Sequence, residues 1–185
     1  MLEGRESHSV EIAGVKRELP LFEVAPGIRI AVLNILGDTE LVEASAKALA
    51  EQLGGIDYEI IVTAEAKSIP LVCSLARETG KDYVVLRKSY KLYMGETIEA
   101  ETLSITTGEP QSLHLDEKDR ALIAGKRVIL VDDVVSTGST LNGMHKVMEM
   151  AGAEVVAEAA IFTEGDPEDW NHIIALGHLP LFRDA

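Results

Sequence analysis

Apolar positions recur along this chain with two periods, and those periods divide it into elements. Leu41, Val42, Ser45, Ala46, Leu49 and Leu53 fall on one face at helical spacing. Asp38 or Thr39 stands before them as a cap and Gly54-Gly55 follows as a stop, so the pattern predicts a helix over 39–53. Glu59 to Thr63 reads as a short buried strand. Pro70 suits the first turn of a second helix, which continues through Leu71, Val72, Leu75 and Ala76 to Gly80. Asp82 to Arg87 is another strand. Val128 to Val131 are four β-favouring apolar residues without polar alternation, the mark of a strand covered on both faces in a parallel sheet. Leu141, Met144, Val147 and Met148 mark a third helix that ends at Gly152, and Ala153 to Thr163 is one more strand. Helices alternating with strands predict βαβ units.

Elsewhere the patterning is weaker. Residues 1–19 read as a surface segment with one short strand. Leu19 to Gly37 is apolar but broken by Pro20, Pro26 and Gly27, as in a small flap over a site. Lys88 to Lys118 is polar, with strand-like alternation at Glu101–Thr107 and Gln111–Leu115 around a turn at Gly108-Glu-Pro110. This is expected to be a two-stranded arm projecting from the sheet, and an insertion of that length in a compact domain is more often functional than decorative. Glu164 to Trp170 begins a helix, and Gly177 to Phe182 forms a short closing strand. The expectation is a single domain over 1–185, doubly wound α/β, whose mostly parallel central sheet is flanked by helices. An N-terminal flap (about 1–37) and an inserted arm and small hood (about 88–118) complete it.

Charge narrows the partners. The chain carries 31 acidic and 17 basic residues, a net charge of −14, which argues against nucleic acid, since that is held by clustered Lys and Arg. No stretch approaches the roughly 18 apolar residues of a membrane helix, and the first residues have no apolar core for a signal peptide. A cytoplasmic protein without a membrane partner is expected. The single cysteine, Cys73, lies among apolar residues and reads as a small core residue. The five histidines share no metal-binding spacing.

The chemistry gathers where the apolar run 128–131 ends. Asp132 and Asp133 come first, then Ser136, Thr137, Gly138, Ser139 and Thr140, then the helix. The loop's N–H groups and hydroxyls, with the positive end of the helix dipole, form a cradle for one phosphate. Two adjacent carboxylates accept hydrogen bonds from a pair of neighbouring hydroxyls. A phosphate at one end and a vicinal diol at the other describe a ribose 5-phosphate. Gly80-Lys81 and Gly125-Lys126 are followed by Asp82 and Arg127, so a nucleotide P-loop is excluded. In a doubly wound sheet ligands collect at the carboxyl ends of strands. Two further ends carry polar residues, Thr63-Ala-Glu-Ala-Lys67 and Arg87-Lys88, a cation set suited to a diphosphate.

The stretch Val128-Ile-Leu-Val-Asp-Asp-Val-Val-Ser-Thr-Gly-Ser-Thr140 closely resembles the 5-phosphoribosyl-1-diphosphate (PRPP) signature of the type I phosphoribosyltransferases. That resemblance implies that Asp132 and Asp133 hold the ribose hydroxyls and that Val135 to Thr140 hold the 5-phosphate. Ala64-Glu-Ala-Lys-Ser-Ile-Pro-Leu71 resembles the diphosphate loop of the family, and Val84 to Lys88 resembles its Arg-Lys strand. Glu65, Ala66, Lys67, Arg87, Lys88 and Lys91 are thereby implied around the diphosphate, with Asp132, Asp133, Arg87 and Lys88 as the catalytic set.

Ala25-Pro-Gly-Ile-Arg-Ile-Ala31 resembles the start of adenine phosphoribosyltransferases, with Ala31 and Val32 where those have Arg-Asp. Phe22, Thr107 and Phe182 are the candidate base contacts. Thr106 or Thr107 falls near the family's hood glutamate, flanked by Glu101 and Glu109. The implied reaction is Mg2+-dependent transfer of the phosphoribosyl group from PRPP to a nucleobase, adenine first, by a homodimer, with magnesium held mainly through PRPP and not directly by protein. Thr106-Thr-Gly108 also resembles hypoxanthine-guanine enzymes, and Arg87-Lys-Ser-Tyr-Lys91 resembles orotate phosphoribosyltransferases. A PRPP-sensing regulator without catalysis is the reading from another class.

Overall fold

The computed structural model describes residues 4–103 and 110–183. The chain opens with strands β1 (Ser7–Ile12), β2 (Val15–Ala25) and β3 (Ile28–Ala31), then helix α1 (Thr39–Leu53), β4 (Ile60–Ala64), α2 (Ile69–Thr79) and β5 (Asp82–Leu86). After these come a ribbon, β6 (Ile98–Leu103) and β7 (Pro110–Leu115), and α3 (Glu117–Ile123). β8 (Arg127–Val135), α4 (Ser139–Ala151), β9 (Glu154–Glu164), β10 (Ile174–Leu179) and β11 (Phe182–Arg183) complete it.

Five strands pair in parallel in the order β10-β9-β8-β4-β5. The side chains of β8 alternate between two cores, which is why its sequence is apolar without a break. Ile129 and Val131 face α1 and α2, while Val128 and Leu130 face α4. The α/β architecture is therefore the expected one. The stripe of α1 buries the six residues that its periodicity selects, and Asp38 caps it by accepting from Leu41 N at 3.2 Å.

The structure departs from expectation at several elements. Residues 1–19 contain a full hairpin: β1 pairs with β2 from Ser7↔Pro20 to Ile12↔Val15 across a turn at Ala13 and Gly14, both with positive φ. Pro20 lies inside β2, not at a break; its carbonyl still accepts from Val32 N at 3.0 Å. The hairpin, β3 and β11 form a four-stranded antiparallel sheet in the order β1-β2-β3-β11, which shares the α1 and α2 core through Ile12, Leu19, Leu21 and Leu33.

The arm does pair as an antiparallel ribbon, Ile98↔Leu115 to Leu103↔Pro110. Its root, however, is not projecting: Ala100, Leu113 and Leu115 are buried in the same core as Met144 and Val147 of α4. Arg87 and His114 exchange both backbone hydrogen bonds, at 2.9 and 2.8 Å, and fasten the ribbon to the end of β5. The turn expected at Gly108-Glu-Pro110 and the strand residues Ser104 to Thr107 fall, apart from Pro110, outside the described residues. α3 was not expected, being shorter than the window in which helical period shows. The tail helix is only a 3-10 turn, Pro167–Trp170. The closing strand divides in two, with β10 parallel to β9 and β11 antiparallel to β3. Cys73 is exposed on α2, since Leu71, Val72, Leu75 and Ala76 take the buried face.

Candidate functional site

β8 continues through its two acids to Val135, so the pair sits within the strand. Pairing with β4, however, ends at Val62↔Leu130, and Thr63 Oγ1 donates to Val131 O at 2.7 Å. Beyond that point β4 and β8 diverge. The opening holds Asp132, Asp133 and the loop Glu65–Ser68 that leads into α2.

Two clefts meet there. The first, about 170 Å³, is lined by Gln111, Asp132 and the run from Val134 to Leu141, which includes every expected phosphate-loop residue. Gly138 begins α4 with φ +71°, and its neighbours Thr137 and Ser139 bring their hydroxyls to 3.1 Å of each other. The second cleft, about 200 Å³, is lined by residues 64–68, Lys88, Asp132, Asp133, Val134 and Thr140. Asp132, Val134 and Thr140 belong to both, so the acid pair stands between a hydroxyl-rich loop on one side and, on the other, the loop that carries Lys67 together with Lys88 beyond β5.

The pair is tightly held. Ser68 Oγ donates to Asp132 Oδ1 at 2.6 Å and accepts from Asp133 N at 2.9 Å. Asp133 N also reaches Asp132 Oδ1 at 2.9 Å. Lys67 Nζ stands 3.5 Å from Asp133 Oδ2, a buried oxygen that accepts no hydrogen bond, and 3.3 Å from the carbonyl of Leu33. Burial first, then the charge of Asp133, pushes the Asp132 carboxyl up to about 7.

Of the remaining expected residues, Glu65, Ala66, Lys67 and Lys88 line the second cleft, and Arg87 reaches it only through its hydrogen bond to Glu65. Glu65 grips the end of β5 with both oxygens, accepting from Arg87 Nε at 2.5 Å and from Lys88 N at 2.7 Å. Hydrogen bonds to Glu65 and then to Tyr93 push the Arg87 guanidinium up, keeping it charged. Lys91 starts a 3-10 turn, Leu92–Met94, and lines neither cleft. Phe22 lines a separate opening of about 300 Å³ with Arg17, Val32 and Leu33, and the Arg5 guanidinium lies 4.2 Å from its ring centre. Phe182 packs edge-on to His8 with ring centres 5.1 Å apart. Thr106, Thr107 and Glu109 lie outside the described residues.

Three residues escaped the sequence reading. Ser68 looks like a helix cap, and nothing local says that it turns to a strand 64 positions away. Gln111 reaches the first cleft only because the arm's root packs on α4. Trp170, expected only as part of a helix start, lies over Gly138, where an added Cβ would come within 3.1 Å of its ring.

Comparisons with known proteins bear on this geometry. Residues 33–175 match the phosphoribosyl transferase domain family. The adenine phosphoribosyltransferase of Thermosipho africanus is 33% identical over 141 residues, 76% of this chain and 80% of that protein. The hypoxanthine/guanine phosphoribosyltransferase of Methanococcus voltae is 39% identical over 57% of this chain and 53% of its own. The purine biosynthesis transcriptional repressor PurR of Bacillus subtilis is 25% identical over 83% of this chain and 55% of its own. Among solved structures, adenine phosphoribosyltransferase from Thermoanaerobacter pseudethanolicus superposes with a TM-score of 0.67 at 24% identity, covering 96% of this chain and 99% of that one. With the acid pair, the hydroxyl loop and the lysine loop at one end of a parallel sheet, the chain belongs to the phosphoribosyl transferase family.

Proposed function

We propose that this protein transfers the 5-phosphoribosyl group from the magnesium complex of PRPP to a purine, adenine first, in purine salvage. The single observation that carries the reading is the position of Asp132, shared by the two clefts. The hydroxyl loop on one side suits the 5-phosphate, the lysine loop on the other suits the diphosphate, and the acid pair between them suits the ribose hydroxyls. Among the described residues no group of three or more His, Cys, Asp or Glu is arranged for a metal. In this reading magnesium enters on the substrate, held mainly by its diphosphate and ribose oxygens.

In the reaction a base nitrogen bonds to ribose carbon 1 as the bond from that carbon to the diphosphate oxygen breaks. The electron pair leaves with diphosphate and the base releases its N–H proton. Lys67, Lys88 and Arg87 offset the charge that builds on the leaving group. Positioning of both reactants supplies the rest. The preference for adenine rests on the relative that is 33% identical and on the Ala25–Ala31 resemblance. A homodimer is part of the same reading.

The test is diphosphate release from PRPP and magnesium with adenine, hypoxanthine, guanine, xanthine and orotate offered separately. Release with adenine above the others is expected. PRPP binding without release would favour a sensor, the reading that the similarity to a repressor supports.

A further inference from the structure

We infer that Ser68 is the positioning residue of the acid pair: its hydroxyl, set between β8 and the start of α2, fixes which carboxylate oxygens face the substrate. This deepens the function proposed above and rests on it for what the pair binds.

Ser68 stands at the N-cap of α2, where a serine ordinarily accepts a hydrogen bond from its own helix. Here its side chain makes no cap hydrogen bond. The side chain turns toward β8 and is 1% exposed. A hydroxyl has one proton to give and two lone pairs. The proton goes to Asp132 Oδ1 at 2.6 Å, with Asp133 Oδ1 within 3.1 Å as the alternative acceptor. A lone pair takes Asp133 N–H at 2.9 Å. Asp132 Oδ1, which also meets Asp133 N, is therefore committed to protein donors, and Oδ2 is the oxygen left for a ligand. α2 forgoes a cap so that the diphosphate loop and the ribose-binding strand share one proton.

The groups around Asp132 set what this proton does. Asp133 is adjacent on β8, Lys67 precedes Ser68 in its loop, Glu65 and Lys88 line the same cleft, and Thr140 of α4 and Gln111 of β7 line the neighbouring one. Burial and then Asp133 hold Asp132 toward the neutral form, while the Ser68 hydrogen bond draws it toward the charged form. A group that only filled space would leave the titration of Asp132 unmoved.

The experiment is carbon-detected NMR titration of the side-chain carboxyls of Asp132 and Asp133 in the ligand-free protein, for wild type, Ser68→Ala and Ser68→Cys. It is paired with calorimetric PRPP affinity, with magnesium, across the same pH range. In Ser68→Ala the Asp132 titration moves to higher pH, by about one unit, and PRPP affinity near neutral pH falls about tenfold. Ser68→Cys, close to serine in volume but a poor donor, follows alanine. Unmoved carboxyl titration in Ser68→Ala overturns the inference, and so does a cysteine variant that titrates like the wild type. If the wild type fails to bind PRPP, the proposed function falls, while the carboxyl titration still decides the role of Ser68.

Discussion

At the scale of the residue, the proposed function makes Asp132 the group that sets when the cleft accepts hydroxyls. Burial first, then the charge of Asp133, pushes its carboxyl up to about 7 in the folded protein, above its value in an unfolded chain. The folded state thus binds the proton more tightly, so this group's contribution to stability is largest at low pH and is lost as pH rises through about 7. Ligand binding runs the other way, because only the ionised pair accepts hydrogen bonds from two hydroxyls without giving a proton. PRPP affinity should therefore rise about tenfold between pH 6 and pH 8. Asp132→Asn with Asp133→Asn should abolish that dependence and most of the binding while leaving the melting profile cooperative; calorimetry at the two pH values checks both. The pair was legible in the sequence because adjacent acids after an apolar strand have no structural use. Ser68 was not, since its partners are 64 and 65 positions away.

At the scale of the element, the hydroxyl loop depends on the turn that leads into α4. Gly138 takes φ +71°, a conformation that glycine adopts without steric cost. The ring of Trp170, whose Nε1 donates to Glu164 O at 2.8 Å, closes the space where a side chain would go. Gly138→Ala should cost about 1–3 kcal/mol of stability, weaken PRPP binding and shift the emission of Trp170, the protein's single tryptophan. Unaltered emission and unaltered affinity would show that the loop does not need this turn. Helices α1, α2 and α4 were legible because each carries a stripe at helical spacing and a stop signal. The first hairpin was not. Its turn is Ala13-Gly14, lacking the Asn-Gly or Asp-Gly signal of tight hairpins, and Pro20 inside β2 imitates a break.

At the scale of the whole molecule, two cores lie on opposite faces of the parallel sheet, and the antiparallel sheet joins only one of them. The seam between the two sheets is narrow at Gly177 of β10. A Cβ there would stand 2.7 Å from Ile12 of β1 and 2.8 Å from Phe162 of β9. Gly177→Ala should therefore overpack this seam by about 1–3 kcal/mol, lowering the melting temperature by about 2–4 °C per kcal/mol. A melt at the wild-type temperature would mean that the two sheets separate with little resistance. No helix among the described residues is long and apolar enough to cross a membrane.

By itself the sequence determined what local periodicity and local chemistry can specify. These are the alternation of helices and buried strands, the cap and stop of α1, the acid pair, and the hydroxyl loop before α4. They are written in adjacent residues, so they can be read without knowing what lies across the fold. The tertiary structure alone decided which loops converge and which groups are already spent. It placed Glu65 on Arg87 and Lys88, Ser68 on the acid pair, Gln111 at the cleft of the hydroxyl loop and the arm's root in a core. Each of those contacts joins residues more than 20 positions apart. Burial and hydrogen bonding at that range depend on how the sheet brings strands together, which no local pattern records.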